Sequence, residues 1–349
     1  MKTGVADLPL HYGKAPKWLF GRMVKLSKAV TEIVVLEYGK DEFLKRISDP
    51  FWFQAFACLL GYDWHSSGTT TVTTAALKEA LKDANIGISV LGGKGKASRK
   101  TPEEIEKLEN IFSLSSDEIE KLKIASRLSA KVDNSALQDG FQLYHHSFIV
   151  SEDGKWSVIQ QGMNPENHYA RRYHWLSEKV KSFVVEPHAA ICCDVRGKAL
   201  NMVAKESEDC REVSVDLAKE GTIKLKKYLL MDKKHEIDLN YYTGLKNAYE
   251  FQPKNYEELI LVKGMGPKSI RALALLSKLI YGKEPSWRDP AKFSFAHGGK
   301  DGIPYPVDRR NYDKSIEILQ TAIGNAKIDN KERLNAIRRL NEFIPKEYR

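Results

Sequence analysis

The chain has 349 residues, with 55 Lys and Arg against 46 Asp and Glu for a formal charge of +9, and 42% of it is hydrophobic. That balance excludes a disordered or fibrous chain, and no apolar run approaches the ~20 residues that a membrane-spanning helix needs. The four cysteines (Cys58, Cys192, Cys193 and Cys210) fit neither a disulfide framework nor paired zinc ligands, and Met1–Lys14 lacks the apolar core of a secretory signal, so a reducing cytoplasm is the expected compartment.

Residues 16–48 read as a helix pair or one long helix, with apolar residues at helical spacing through Leu19, Met23, Leu26, Val30 and Ile33. The aromatic run from Phe51 to Leu60 predicts a buried helix. A polar loop, GYDWHSSGTTT, follows from Gly61 and leads into a helix near Thr74–Lys82, with Thr73 or Thr74 as its N-cap. The glycine- and lysine-rich stretch 92–102 predicts a mobile basic loop. Pro102-Glu103-Glu104 and Ser116-Asp117-Glu118 read as helix starts with acidic first turns.

At Gln142 the pattern changes to two β-prone runs around Asp153-Gly154, a hairpin signal, and Lys181–Ile191 predicts a further strand. From about Leu200 the chain reads helical to its end. The expected fold is therefore α+β. Residues 1–199 form a mixed domain with a β-hairpin site, and residues 200–349 form an all-α domain.

Within that second domain, residues 256–282 carry the clearest motif. A short apolar helix ends at Val262, Gly264-Met265-Gly266 turns the chain, and Pro267 opens a second helix at the position where its missing N–H costs nothing. Glycines leave backbone amides uncovered, and a helix N-terminus attracts anions. The segment resembles the helix-hairpin-helix motif of DNA repair proteins. That resemblance implies backbone phosphate binding through Gly264, Met265, Gly266, Lys268, Ser269 and Arg271, without sequence specificity. The +9 charge agrees with such an anionic partner. In base-excision glycosylases of the superfamily the hairpin lysine attacks the sugar C1′ and an aspartate follows the second helix. Lys268 and Asp308 stand in that order, 40 residues apart, which is about twice the family's separation.

The hairpin segment YHHSFIVSEDGKWSVIQQGMN resembles the active-site hairpin of the phospholipase D superfamily, which includes nucleases. His146 and Asp153 fall at that family's spacing, and Asn164 is displaced by one position. Phe148 replaces the phosphate-binding lysine, and Gln160-Gln161 stand near the Gly-Ser position. The implied chemistry is phosphodiester cleavage with His146 as nucleophile or general acid, and with Gln161 and Asn164 donating to phosphate oxygens. Arg171 and Arg172, just downstream, can take the lost lysine's electrostatic role. His65, in the loop Asp63-Trp64-His65-Ser66-Ser67, is a candidate partner histidine. A homodimer pairing two His146 residues is another route. A divalent cation, Mg²⁺ or Mn²⁺, on Asp63 and Asp153 is a third. His297, in a glycine-rich loop, is a further polar candidate.

Taken whole, GYDWHSSGTTT, YHHSFIV, QQGMN and AHGGKDGIPYPVDRR resemble an uncharacterised prokaryotic family, domain-of-unknown-function family 763. The functional expectation is a DNA-processing nuclease with His146 central. A glycosylase or abasic-site lyase using Lys268 and Asp308 is the alternative, and a non-catalytic DNA-binding protein is the third reading.

Overall fold

The computed structural model describes residues 15–291 except Pro16, 62–66, 167–168, 194–195, 221–227, 230–235 and 238–242. It also describes helical positions 320–321, 323–324, 331 and 334–338. The N-terminal stretch is a helix pair, α1 (Lys17–Tyr38) and α2 (Lys40–Ser48), broken at Gly39 with φ +87°. Met23, Leu26, Val30 and Val34 recur at helical spacing and are buried. Asp49 starts α3 (Pro50–Leu59) as an N-cap, accepting from the amides of Phe51 and Trp52 at 2.9 Å.

Helix α4 (Gly68–Leu81) begins six residues earlier than the threonine-rich sequence suggests, which makes Thr73 and Thr74 interior residues rather than caps. Threonine hydroxyls compete for backbone groups in an exposed helix. Here both are buried, and Thr74 Oγ1 bonds back along the same helix, donating to Thr70 O at 2.8 Å.

Strand β1 (Ile88–Lys94) and the short α5 (Lys96–Arg99) occupy most of the stretch expected to be a mobile loop. Cross-strand pairing of Gly92, Gly93 and Lys94 with Ser147, His146 and His145 overrides the local glycine signal. Next come α6 (Thr101–Glu106), α7 (Leu108–Phe112) and α8 (Ser116–Lys131). In α8 Ser115 and Glu118 form a capping box. A π-helical turn, Val132–Ala136, ends α8 and leads to β2 (Leu137–Gln138).

The expected hairpin is β3 (Gln142–Ser151) and β4 (Trp156–Met163), closed by a turn with Gly154 at φ +75°. Strand β5 (Ala170–Leu176) was not legible in the sequence. Every residue of it is buried, so it shows no polar alternation. Of the expected strand 181–191, only its end enters β6 (Ala190–Cys192). The order β1-β3-β4-β5-β6 makes one antiparallel sheet.

The chain continues through β7 (Lys198–Asn201), α9 (Glu208–Glu220), β8 (Tyr228–Leu229), β9 (Glu236–Ile237), α10 (Thr243–Phe251), α11 (Tyr256–Leu261), α12 (Pro267–Tyr281) and β10 (Ser286–Arg288). Strand β7 lies between β10 and β2 in a second sheet, so a domain boundary at 199/200 would cut a paired strand. The C-terminal part is therefore not all helix.

The five-stranded sheet separates two cores. One face packs Ile149, Ile159 and Leu176 under α1–α4. The other packs Phe148, Val158 and Trp175 against α8 and the C-terminal helices, in one cluster with Leu259 and Leu273. The fold is thus α+β, an antiparallel sheet between two helical layers.

Candidate functional site: a polar row through the centre of the sheet

The middle of this sheet is polar on both faces at one register. His145 pairs with Gln161, which pairs with Arg172. One step along, His146 pairs with Gln160, which pairs with Tyr173. Side chains alternate along a strand, so the first row faces the N-terminal helices and the second faces α8.

On the α8 face, His146 is 3% exposed and both ring nitrogens are engaged. Nδ1 lies 2.8 Å from Gln160 Oε1, and Nε2 lies 2.9 Å from Ser126 Oγ. Gln160 spends its amide nitrogen on Asp133 Oδ2 and on Ser129 O at 3.1 Å, so its carbonyl oxygen faces the imidazole. That assigns the proton to His146 Nδ1 and leaves Nε2 to accept from the Ser126 hydroxyl. Asp133 is fully buried. It accepts from Trp175 Nε1 at 2.9 Å and pairs with His188 Nε2. Burial pushes the His146 pKa down, against the Gln160 bond and the Asp133 charge, which favours the neutral ring of a base. Ser126 and His146 line a cleft of about 240 Å³, with Arg99, Arg127 and Tyr144 among its walls.

On the opposite face the polar side chains are tied to one another, and His145 also borders the cleft. Gln161 accepts from the Thr70 hydroxyl and donates to Ser67 O at 2.8 Å and to the Tyr144 hydroxyl. Arg172 donates to Gln54 Oε1 at 3.2 Å and to His174 Nε2 at 2.9 Å, and lies 4.5 Å from the Phe53 ring centre. Burial brings its pKa down to about 10. His145 Nε2 meets Thr74 Oγ1 at 3.0 Å, and burial lowers the His145 pKa to about 3.

Measured against the sequence-based site, the structure places His146 at a cleft and separates it from the other candidates. Asp153 sits at the hairpin tip on Lys40 at 2.9 Å, beyond Ser151, itself five residues or about 16 Å along β3 from His146. Asn164 shapes the β4–β5 connection, its side-chain oxygen accepting from Glu166 N at 2.8 Å. Gln161 is buried on the far face. Phe148 is fully buried and stacks on Trp156 at 5.6 Å, a core position.

Neither arginine expected to meet phosphate faces solvent. Arg171 is fully buried against Asp139 at 2.8 Å and Asp289 at 2.7 Å, joining the two sheets, and Arg172 is equally buried. Both ring nitrogens of His146 meet groups of its own chain, Gln160 and Ser126. His65, Asp63, His297 and Asp308 lie outside the described residues. Among the described residues no group of three or more His, Cys, Asp or Glu is placed to hold a metal ion, and no helix is long and apolar enough to cross a membrane.

The glycine-proline hairpin joins α11 to α12 as expected, with Gly264 at φ +89° and Pro267 in the first turn of α12. Gly264, Lys268 and Arg271 are exposed, and Gly266 is half-buried. Met265 and Ser269 are buried, so their side chains hold the hairpin on the core instead of meeting a partner. The turn is docked on α8 and β2. Lys131 Nζ donates to Met265 O, Gln138 Nε2 to Pro267 O at 2.8 Å, and Arg271 Nε to Gln138 Oε1 at 2.9 Å. Lys131 is the residue after Ala130, which lines the cleft. The hairpin and the cleft therefore share one helix.

Sequence reasoning missed Ser126, Asp133 and His188. Ser126 and Asp133 sit in a stretch that reads as a plain amphipathic helix, and only the packing of α8 on β3 brings them to His146. His146 and Gln160 are cross-strand partners once the Asp153-Gly154 turn sets the register, so that pair was recoverable from the sequence.

Fold and site together define an α+β protein in which an antiparallel sheet lies between helical layers and a serine–histidine pair opens on a basic cleft. The chain belongs to DUF763, a family of proteins of unknown function, whose profile matches residues 4–307. No curated protein and no solved structure matches it significantly.

Proposed function

We propose that this protein grips the DNA backbone without sequence preference and cleaves phosphodiester bonds at the cleft that holds His146. The observation that carries this reading is the sharing of α8: its Ser126, Arg127 and Ala130 line the cleft, and its Lys131 anchors the glycine-proline hairpin. Exposed Lys94, Lys96, Arg99 and Lys100 on β1 and α5 extend the positive surface beside the cleft. A backbone threaded from the hairpin past α5 would bring a phosphate to His146, whose neutral ring suits proton transfer.

The test is binding and cleavage of labelled duplex and single-stranded oligonucleotides by the full chain, with and without EDTA. Affinity should fall steeply with salt, with a slope of about −0.9 per phosphate neutralised on a duplex. Gly266→Phe should weaken binding more than Lys268→Ala, because it covers the amides themselves. An affinity that is flat in salt would sink the DNA reading. Binding without any cleavage would leave a DNA-binding protein and no nuclease. The exposure of Lys268 suits phosphate contact better than an enclosed abasic-sugar site.

A further inference from the structure

The cleft contains one hydroxyl whose partner is a base. Ser129, one turn along α8 from Ser126, does what helix serines commonly do and bonds back to a carbonyl, Ser126 O, at 3.1 Å. Ser126 Oγ instead meets His146 Nε2 at 2.9 Å. Behind the imidazole, Gln160 and then Asp133 continue the chain of hydrogen bonds, each donor handing to the next acceptor and ending on a buried carboxylate. A positive charge formed on His146 would face the Gln160 carbonyl, with the Asp133 charge beyond it. The hydroxyl is thus placed to lose a proton, and the ring behind it to hold one.

We propose that Ser126 is the nucleophile of a phosphoryl transfer, with His146 as its general base and Gln160 and Asp133 as positioning residues. The substrate class follows from the walls. Arg99 and Arg127 line the same cleft, and guanidinium groups match phosphate oxygens. Ser126 lies inside α8, where backbone amides are spent along the helix, so an amide pair for a carboxylic ester's oxyanion is not provided.

In the first step Ser126 Oγ bonds to phosphorus as its proton passes to His146 Nε2. The bond from phosphorus to the leaving sugar oxygen breaks, and the imidazolium gives its proton to that oxygen. A phosphodiester now links Ser126 to the remaining strand. In the second step His146 takes a proton from water, the hydroxide attacks phosphorus, and Ser126 leaves with the proton returned by His146. The product is a phosphomonoester end. Only the identity of the phosphodiester rests on the DNA reading; the nucleophile does not.

The experiment treats the full chain with an alkyl fluorophosphonate and maps the adduct by mass spectrometry, alongside oligonucleotide cleavage. We expect one adduct on Ser126, none in Ser126→Ala, and labelling slowed about 10²–10⁴-fold in His146→Ala. Asp133→Asn should move the acid limb of the labelling rate to lower pH, as loss of a nearby negative charge requires, a shift that a merely structural role would not produce. No adduct on the folded chain, or an undiminished adduct in Ser126→Ala, overturns the proposal. DNA cleavage at the wild-type rate by Ser126→Ala also overturns it while keeping the DNA reading. An adduct on Ser126 in a chain that neither binds nor cuts DNA keeps the nucleophile and removes the DNA reading.

Discussion

The two faces of the central sheet carry the same kind of residue at the same register and put it to different use. Each has a histidine on β3 and a glutamine on β4, one residue apart in sequence. Toward α4, Gln161 and His145 are locked to threonines and backbone, and the charged group at the centre is Arg172. Toward α8, the glutamine connects a histidine to a buried aspartate, and the histidine reaches a serine at the cleft. What separates the two is the covering helix. Helix α4 sets Thr74 against His145, but that hydroxyl also bonds back to Thr70 O, whereas the hydroxyl that α8 sets against His146 meets a ring backed by Gln160 and Asp133. A histidine becomes chemically useful through the group its second nitrogen meets.

The largest effect that would break this contrast is on activity. His146→Ala should lower the cleavage rate by about 10²–10⁴. His145→Gln, one residue away, should leave the rate per folded molecule close to wild type. Single-turnover cleavage of a labelled oligonucleotide distinguishes them, and equal losses would mean that the faces are not functionally distinct.

Stability gives the next largest difference. Asp133→Ala strands the side chains of Gln160, Trp175 and His188 and should cost about 3–5 kcal/mol. On the other face, Gln161→Leu removes a neutral amide and should cost about 1–3 kcal/mol. Urea unfolding of the two variants checks the order.

A third prediction concerns the hairpin docked beside α8. A Cβ on Gly244 would lie 2.4 Å from Gly264 O, so Gly244→Ala must push the hairpin off α10, at a cost of about 1–3 kcal/mol. Salt-dependent DNA binding by this variant should weaken even at temperatures where it stays folded. Unchanged affinity would detach the hairpin's placement from binding.

The last effect, on acid stability, is absent at neutral pH, and within the first pH unit below 6.5 it is the smallest of the four. Burial holds His145 neutral, with a folded pKa of about 3 against 6.5 in the unfolded chain. Between those values the unfolded chain binds a proton that the native state does not. The stability is therefore complete above about pH 6.5 and declines as pH falls, by up to about 1.4 kcal/mol per pH unit. His174 on the same face is displaced in the same direction by burial and by Arg172. His145→Gln should flatten the urea midpoint's dependence on pH below about 6.5. An unaltered slope would show that His145 is not the residue that acid attacks.

Much of the architecture was legible before the structure. The hairpin at Asp153-Gly154 and the turn at Gly264–Pro267 are set by local backbone chemistry, whereas residues 16–48 read equally as one helix or two and the break at Gly39 went unplaced. Strand β5 was hidden because Arg171 and Arg172 sit on opposite faces of a strand buried on both sides, and two adjacent arginines read as a solvated segment. Their expected role at phosphate failed for the same reason: Asp139 and Asp289 come from distant segments and close around Arg171. Of the candidate site, His146, Asp153 and Asn164 were all marked by their spacing in the hairpin, and the hairpin carries Asp153 and Asn164 away from His146.

The sequence by itself determined the α+β character, the hairpin register and the glycine-proline turn, since periodicity and turn residues act over a few positions. Which face of β3 opens on a cleft, and which serine and aspartate His146 meets, only the tertiary structure decided. Those groups lie 20 and 13 residues from His146 along the chain. They meet it because α8 buries Leu122, Ala125 and Leu128 against the sheet, an apolar driving force that sets where the helix lies. The hydrogen bonds that follow are made by whichever polar groups that packing leaves facing one another.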